Sequence, residues 1–304
     1  MPIFLPVAGV TINLFLLIGA GAVVGFLSGL LGVGGGFLLT PILMMIGVPP
    51  TVAAASDTNS IIATSSSGVA AHFRLGNVDP KLGSVLLLGG LTGAAIGVQI
   101  IKILRTLGNA DFVITVTYVF VLGSVGSFMF VESLRSLRRG SLVAKTSHPK
   151  EQHNLFAKLP FQMQFPRSGI QHSVFVPFVL CSLVGILTAV MGVGGGFIMV
   201  PMMVYLLRTP MRIAVGTDLF QILFTCAGVT LMQSVTNHTV DLMLALLVAV
   251  GSTIGAQIGA RIGRYLRGDQ LKIVLASIVL AVMVKMMISI ISTPACLIAY
   301  SRGH

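Results

Sequence analysis

Two aspartates stand in apolar surroundings: Asp57, within Ala54-Ala55-Ser56-Asp57-Thr58-Asn59-Ser60, and Asp218, within Val215-Gly216-Thr217-Asp218-Leu219-Phe220-Gln221. An ionisable side chain held away from water is functional by default, because keeping it there is costly. A carboxyl group in such a place can bind and release a proton. Around it, the hydroxyls of Ser56 and Thr217 and the amides of Asn59 and Gln221 are donors suited to the oxygens of a small anion. The structural alternative is helix capping, but both aspartates lie well past a proline turn (Pro50, Pro210), which is deep for a cap.

A second element with chemical potential is a glycine run that occurs twice. Gly32-Val33-Gly34-Gly35-Gly36-Phe37 is followed by Pro41, and Gly192-Val193-Gly194-Gly195-Gly196-Phe197 by Pro201, at an offset of 160 residues. Each Gly costs a helix about 1 kcal/mol relative to Ala, so the run should break one. Half-helices starting near Phe37 and Phe197 would then point free N–H groups and positive dipole ends at a ligand. The backbone of Gly34, Gly35, Gly36, Gly194, Gly195 and Gly196 could form an anion nest. Close helix packing, as expected around Gly93, Gly97, Gly255 and Gly259, is the rival explanation.

The duplication extends beyond these motifs. Pro50 matches Pro210, Ala55-Ser56-Asp57 matches Gly216-Thr217-Asp218 one residue out of step, and Ile96-Gly97-Val98-Gln99-Ile100 matches Ile254-Gly255-Ala256-Gln257-Ile258. Two copies of one unit are expected. Hydrophobic residues make up 55% of the chain and charged residues 9%, with a mean hydropathy of +0.99. A water-soluble domain carries roughly 25% charged residues, so the unit is a membrane unit.

Apolar segments fall at 10–31, 36–48, 52–72, 82–103 and 111–132, then at 173–191, 196–207, 212–236, 240–261 and 271–293. Most reach the roughly 20 residues a spanning helix needs, but those following the glycines do not. The expected fold is an all-α integral membrane protein of about eight to ten transmembrane helices. It has two inverted five-segment repeats, each with a glycine-broken hairpin. Residues 1–132 form the first repeat, 133–172 a basic cytoplasmic connector and 173–304 the second. Inversion follows from the odd segment count and from charge. With the connector cytoplasmic, 15 of the 19 Lys and Arg fall on that side, against Lys102, Arg105 and Arg302 opposite and Lys285 within a segment. Both termini are then periplasmic. The first apolar run has no basic leader and no small-residue cleavage site, so it reads as a span rather than a signal peptide.

Several classes are excluded. The net charge of +11 is accounted for by membrane-flanking loops, so no nucleic-acid partner is expected. Cys181, Cys226 and Cys296 have no ligand spacing, and His72 and His238 lack a second ligand at helical spacing, so neither a metal nor a cofactor is expected. No nucleophile elbow or Walker loop is present. An intramembrane aspartyl protease would need a Gly-x-Gly-Asp context, which neither Asp57 nor Asp218 has.

At Gly32-Val-Gly-Gly-Gly-Phe-Leu-Leu-Thr-Pro with Ala55-Ser56, and at Gly192-Val-Gly-Gly-Gly-Phe-Ile-Met-Val-Pro with Val215-Gly216-Thr217, the chain resembles the sulfite exporter TauE/SafE family of membrane permeases. The resemblance covers nearly the whole chain outside the connector. It implies transport, commonly export, of sulfite or organosulfonates across the bacterial inner membrane. Asp218 departs from the family pattern, in which Ser is more usual after the Gly-Thr pair. A carboxylate there adds negative charge beside the implied anion site and makes proton coupling more attractive.

The combined expectation is a secondary transporter for a small anion and not an enzyme. Gly34, Gly35, Gly36, Phe37, Ser56, Asn59, Gly194, Gly195, Gly196, Phe197, Thr217 and Gln221 would bind substrate. Asp57 and Asp218 would carry protons, and Lys285 would serve as a charge partner. An uptake permease or an anion channel of the same fold are the alternatives, and the oligomeric state stays open.

Overall fold

A computed structural model describes residues 2–31, 36–138, 162–165, 167–263 and 268–292. Two strands open the chain, β1 (Pro2–Leu5) and β2 (Val10–Asn13). Five helices follow: α1 (Leu14–Leu31), α2 (Gly36–Met45), α3 (Pro50–Arg74), α4 (Pro80–Thr106) and α5 (Ala110–Arg138). The same series then repeats as β3 (Gln162–Phe165), β4 (Ile170–Ser173), α6 (Phe175–Met191), α7 (Gly196–Tyr205), α8 (Met211–Thr236), α9 (Leu242–Gly263) and α10 (Gly268–Ser292). The helices match the ten expected segments closely, and the protein is an all-α membrane protein in its spanning part. Among the described residues, four helices are long and apolar enough to cross a membrane on length and composition alone. Outward-facing side chains on them include Leu88, Ile96, Phe112, Phe120, Leu231 and Val250, a surface suited to lipid and not to water.

Two elements are additions to the sequence reading. The start of the first expected segment, 10–13, is a strand, and β1 and β2 form an antiparallel hairpin with Pro2 opposite Asn13. β3 and β4 form a second, with Gln162 opposite Ser173. The spacing between the hairpins is again 160 residues, and each turns on a glycine with positive φ, Gly9 (66°) and Gly169 (65°). The second hairpin falls inside the stretch expected to be connector. Residues 139–161, most of that connector, lie outside the described residues.

Glycine stripes decide which helices meet. On α1, a Cβ at Gly21 would lie 2.7 Å from the Val248 carbonyl oxygen, at Gly25 2.1 Å from that of Ser252, and at Gly29 2.1 Å from that of Ala256. α9 answers with Gly251, Gly255 and Gly259 against Ile18, Ala22 and Phe26. The two helices therefore run parallel, backbone against backbone. α4 and α6 repeat the arrangement, with Gly89, Gly93 and Gly97 against Phe178, Ser182 and Ile186. Without a hydrophobic force between helices in lipid, such close approach supplies the dispersion contacts that hold them. Equivalent helices of the two halves pack differently. Thr58 meets Thr230 while Gly68 meets Leu219, so α3 and α8 run antiparallel. Gly126 meets Val279 and Gly123 meets Met283, so α5 and α10 do too.

This packing predicts a sharp contrast along α1. Gly25→Ala should lower the stability of the purified protein by about 1–3 kcal/mol, the usual cost of overpacking. Gly19→Ala, where a Cβ meets nothing within 4 Å, should be neutral or stabilising by up to about 1 kcal/mol. Thermal unfolding in detergent checks both.

Candidate functional site

The half-helices α2 and α7 are positioned by what precedes them. α6 ends at Gly192 in the left-handed region (φ 73°), and Gly194 (74°) and Gly195 (77°) continue in it before α7 starts. A side chain at Gly192 would also drive into α3, its Cβ 2.0 Å from the Ala54 carbonyl oxygen. Glycine is required there twice over, for conformation and for space. No side chain caps the first turn of α7. Gly32–Gly35, the matching break that includes the candidate residues Gly34 and Gly35, lies outside the described residues.

The two half-helices meet. Phe37 and Phe197 stack with ring centroids 5.2 Å apart and planes 24° from parallel. Pro41 and Pro201, four residues later, remove the N–H groups that would bond the Phe37 and Phe197 carbonyls. Behind the rings, Gly36 faces Asp57 and Ile61, and Gly194 faces Ile61 and Cys226. Asp57 and Asp218 are each 1% exposed, and Ile222, one turn after Asp218 on α8, clusters with Ile61 and Cys226. Gly36, Phe37, Asp57, Gly194, Phe197 and Asp218 thus share one water-excluded centre.

The two carboxylates are treated differently. Asp57 Oδ2 accepts from Thr40 Oγ1 at 2.8 Å and Oδ1 accepts a short bond from Ser60 Oγ. Asp218 Oδ1 has no partner, and neither has Gln221 Oε1, although the Gln221 amide nitrogen donates to Thr225 Oγ1 at 2.9 Å. Asn59 is half-buried and holds the Ser56 carbonyl. Lys285 lines another space, an open cleft of about 280 Å³ with Met44, Met45, Val48, Pro50, Thr115 and Met286.

Ser56 and Thr217 have a task the sequence does not reveal. Ser56 Oγ accepts the Asp241 N–H at 3.0 Å, and Thr217 Oγ1 accepts the Asp79 N–H at 3.0 Å. Each hydroxyl keeps its own proton to donate. Asp79 and Asp241 in turn form clasps. Asp79 Oδ1 caps α4 through Lys81 N and Leu82 N, and its Oδ2 accepts from Ser168 N and Oγ in the opposite hairpin turn. Asp241 Oδ1 caps α9 through Met243 N and Leu244 N, and its Oδ2 accepts from Val7 N and Ala8 N. Arg167 Nη1 adds a bond to the Val78 carbonyl (2.7 Å), and Arg105 Nη1 one to that of Asn237. Every clasp therefore ties one half to the other within reach of the buried centre. Thr40 and Tyr118, which donates to the Met191 carbonyl, join the residues that sequence reasoning missed.

The protein is a multi-pass helical membrane protein with buried carboxylates where its two halves meet. The sequence profile described as sulfite exporter TauE/SafE matches residues 17–286, and the chain belongs to that family of membrane transporters. The protein named Probable membrane transporter protein YjnA, from Bacillus subtilis (strain 168), is 27% identical over 267 residues, covering 86% of this chain and 94% of its own. From the same organism, Probable membrane transporter protein YunE is 25% identical over 245 residues, 78% of this chain and 84% of its own. Sulfite exporter TauE/SafE family protein 3 of Arabidopsis thaliana is 32% identical over 114 residues, 35% of this chain and 24% of its own. No solved structure matches.

Ser56→Ala and Thr217→Ala should each leave a buried N–H without its acceptor, at a cost of about 1–3 kcal/mol. The loss is expected in thermal unfolding with no anion present. A ligand-free stability equal to wild type would confine these hydroxyls to the transport path.

Proposed function

We propose that this membrane transporter is a secondary carrier for a small oxidised-sulfur anion, sulfite or an organosulfonate, which it exports across the bacterial inner membrane. The observation that carries the reading is the Phe37–Phe197 stack, which brings the starts of two glycine-broken half-helices together at a centre containing two buried carboxylates. Helix N-termini and glycine N–H groups favour an anion, and the hydroxyls of Ser56 and Thr217 supply further donors. The antiparallel packing of α3 on α8 and of α5 on α10 supports inverted repeats, with both termini periplasmic. It is what a two-fold axis in the membrane plane would produce. Alternating access then arises from movement between the halves, with the closed centre described above as an occluded state.

The carboxylates add a sign to the coupling. An anion and an ionised carboxylate exclude one another where the dielectric is low. A proton or other cation at Asp57 or Asp218 therefore favours anion binding, and the two move in the same direction. This observation supports an uptake permease as the second reading, since same-direction coupling to an inward cation gradient drives accumulation. A channel would need no such coupling.

Thermal unfolding of the purified protein against sulfite, sulfoacetate, taurine, sulfate and thiosulfate tests the substrate class. An anion at 100 times its dissociation constant should stabilise by about 2.7 kcal/mol. Stabilisation by sulfite or a sulfonate, with none by chloride, is the expected result. Indifference to every sulfur anion would remove the substrate class and leave a membrane transporter of other cargo.

A further inference from the structure

Asp57 and Asp218 occupy equivalent places in the two halves, yet only one is satisfied. In the first half Thr40 and Ser60 donate to the carboxylate. At the equivalent positions of the second half stand Val200 and Gln221. Val200 has no donor to give. Gln221 spends its amide nitrogen on Thr225 Oγ1 and keeps its oxygen bare. The result is two buried acceptors three residues apart on one helix, Asp218 Oδ1 and Gln221 Oε1, both without a donor. Each residue is 1% exposed. A buried acceptor without a partner is expensive, and a pair of them calls for a ligand.

The chemistry of that ligand follows from the pair. Two bare oxygens repel the oxygens of sulfite or a sulfonate, so the anion is not what completes them. Only a donor or a positive charge does. Resting on the carrier reading above, we propose that Asp218 Oδ1 and Gln221 Oε1 bind the cation that travels with the anion, a small hard monovalent cation. It is either a proton held between the two oxygens or Na⁺. In the proton form the Asp218 carboxyl donates to Gln221 Oε1. The proton is taken from water on one face and returned to water on the other, and no bond of the cargo is made or broken. Asp57, its donors already supplied by Thr40 and Ser60, serves as a fixed anchor of α2 on α3.

The ionisable groups around this pair are few. α3 brings Asp57 and, near its end, His72, which packs against Gly216. α6 brings Cys181, which faces Gly90 beside Gln221, and α8 its own Cys226. Asp79, at the head of α4, reaches Thr217 through its N–H. Further along α4, Gly90 faces Gln221 and Thr225, where a Cβ would lie 2.8 Å from either.

The test uses the purified full-length protein. Its melting temperature is measured at about pH 6 and about pH 8, with Na⁺ or N-methylglucamine as the cation, expecting a shift of at least about 2 °C. Stabilisation at the lower pH identifies the proton, and stabilisation by Na⁺ at the higher pH identifies sodium. Asp218→Asn should abolish the response and Asp57→Asn should keep it. Val200→Thr keeps the carboxylate and supplies the hydroxyl donor that Thr40 offers in the first half, so it should also abolish the response. It decides the matter if Asp218→Asn fails to fold. A wild type indifferent to both cations, a wild-type response in the Asp218→Asn or Val200→Thr protein, or a response lost only in Asp57→Asn would each overturn the proposal. Sulfite flux into proteoliposomes separates the two readings. No flux beside a cation response that depends on Asp218 would sink the sulfur-anion carrier and leave the cation site standing.

Discussion

Backbone contact between helices of opposite halves is the constraint on which the rest of the structure hangs. Apolar side chains gain little by leaving lipid for protein, so association must come from closeness of fit. The glycine stripes of α1 and α9, and of α4 and α6, provide it by removing every side chain that would keep the backbones apart. Once α1 is fixed to α9 and α6 to α4, α3 and α8 are forced together between them. The short helices α2 and α7 then have nowhere to go but inward, where Phe37 meets Phe197. The glycine run between α6 and α7 belongs to the same scheme. Gly192 both turns the chain and lets it lie against Ala54.

Polar groups at this depth are bought with hydrogen bonds, and the supply is uneven. Asp79 and Asp241 are saturated by helix caps and hairpin turns, and Asp57 by two hydroxyls. Their bonds hold segments together, and each carboxylate can be regarded as part of the scaffold. Asp218 and Gln221 stand out against this background because each keeps a buried oxygen without a donor. The asymmetry is chemical and not topological. The backbone places both aspartates alike, and two substitutions, Val200 for Thr40 and Gln221 for Ser60, make the difference.

The spanning helices were legible because their signal is an unbroken apolar run. Their ends differ from the expected segments by only a few residues, as at α3 and α4, where a proline marks the start. The hairpins were not legible. Each strand has four residues, and Pro-Ile-Phe-Leu shares little with its counterpart Gln-Met-Gln-Phe. The one common trace is a proline three residues before a glycine, Pro6 and Gly9 against Pro166 and Gly169. Buried aspartates were read from their apolar flanks, which found Asp57 and Asp218. Asp79 and Asp241 lie in loops, where an acidic residue is ordinary, and only their partners from the other half distinguish them. Ser56 and Thr217 were legible as hydroxyls beside the site, whereas their bonds to Asp241 and Asp79 depend on contacts more than 130 residues apart in sequence.

The pairing of α1 with α9 has a consequence for how the chain is made. Helix α1 finds its principal neighbour, α9, only after the seven helices between them have been synthesised. Until then its row of glycines faces lipid, and its own half offers it little besides α2. Among the described residues neither half contains a complete helix pair of this kind, so splitting the gene between the repeats should yield two fragments that are unstable alone and competent together. Native assembly is therefore a late event, governed by distant contacts whose closure is slow. Until α9 arrives, the exposed glycine face of α1 is a natural place for membrane quality control to recognise an unfinished protein.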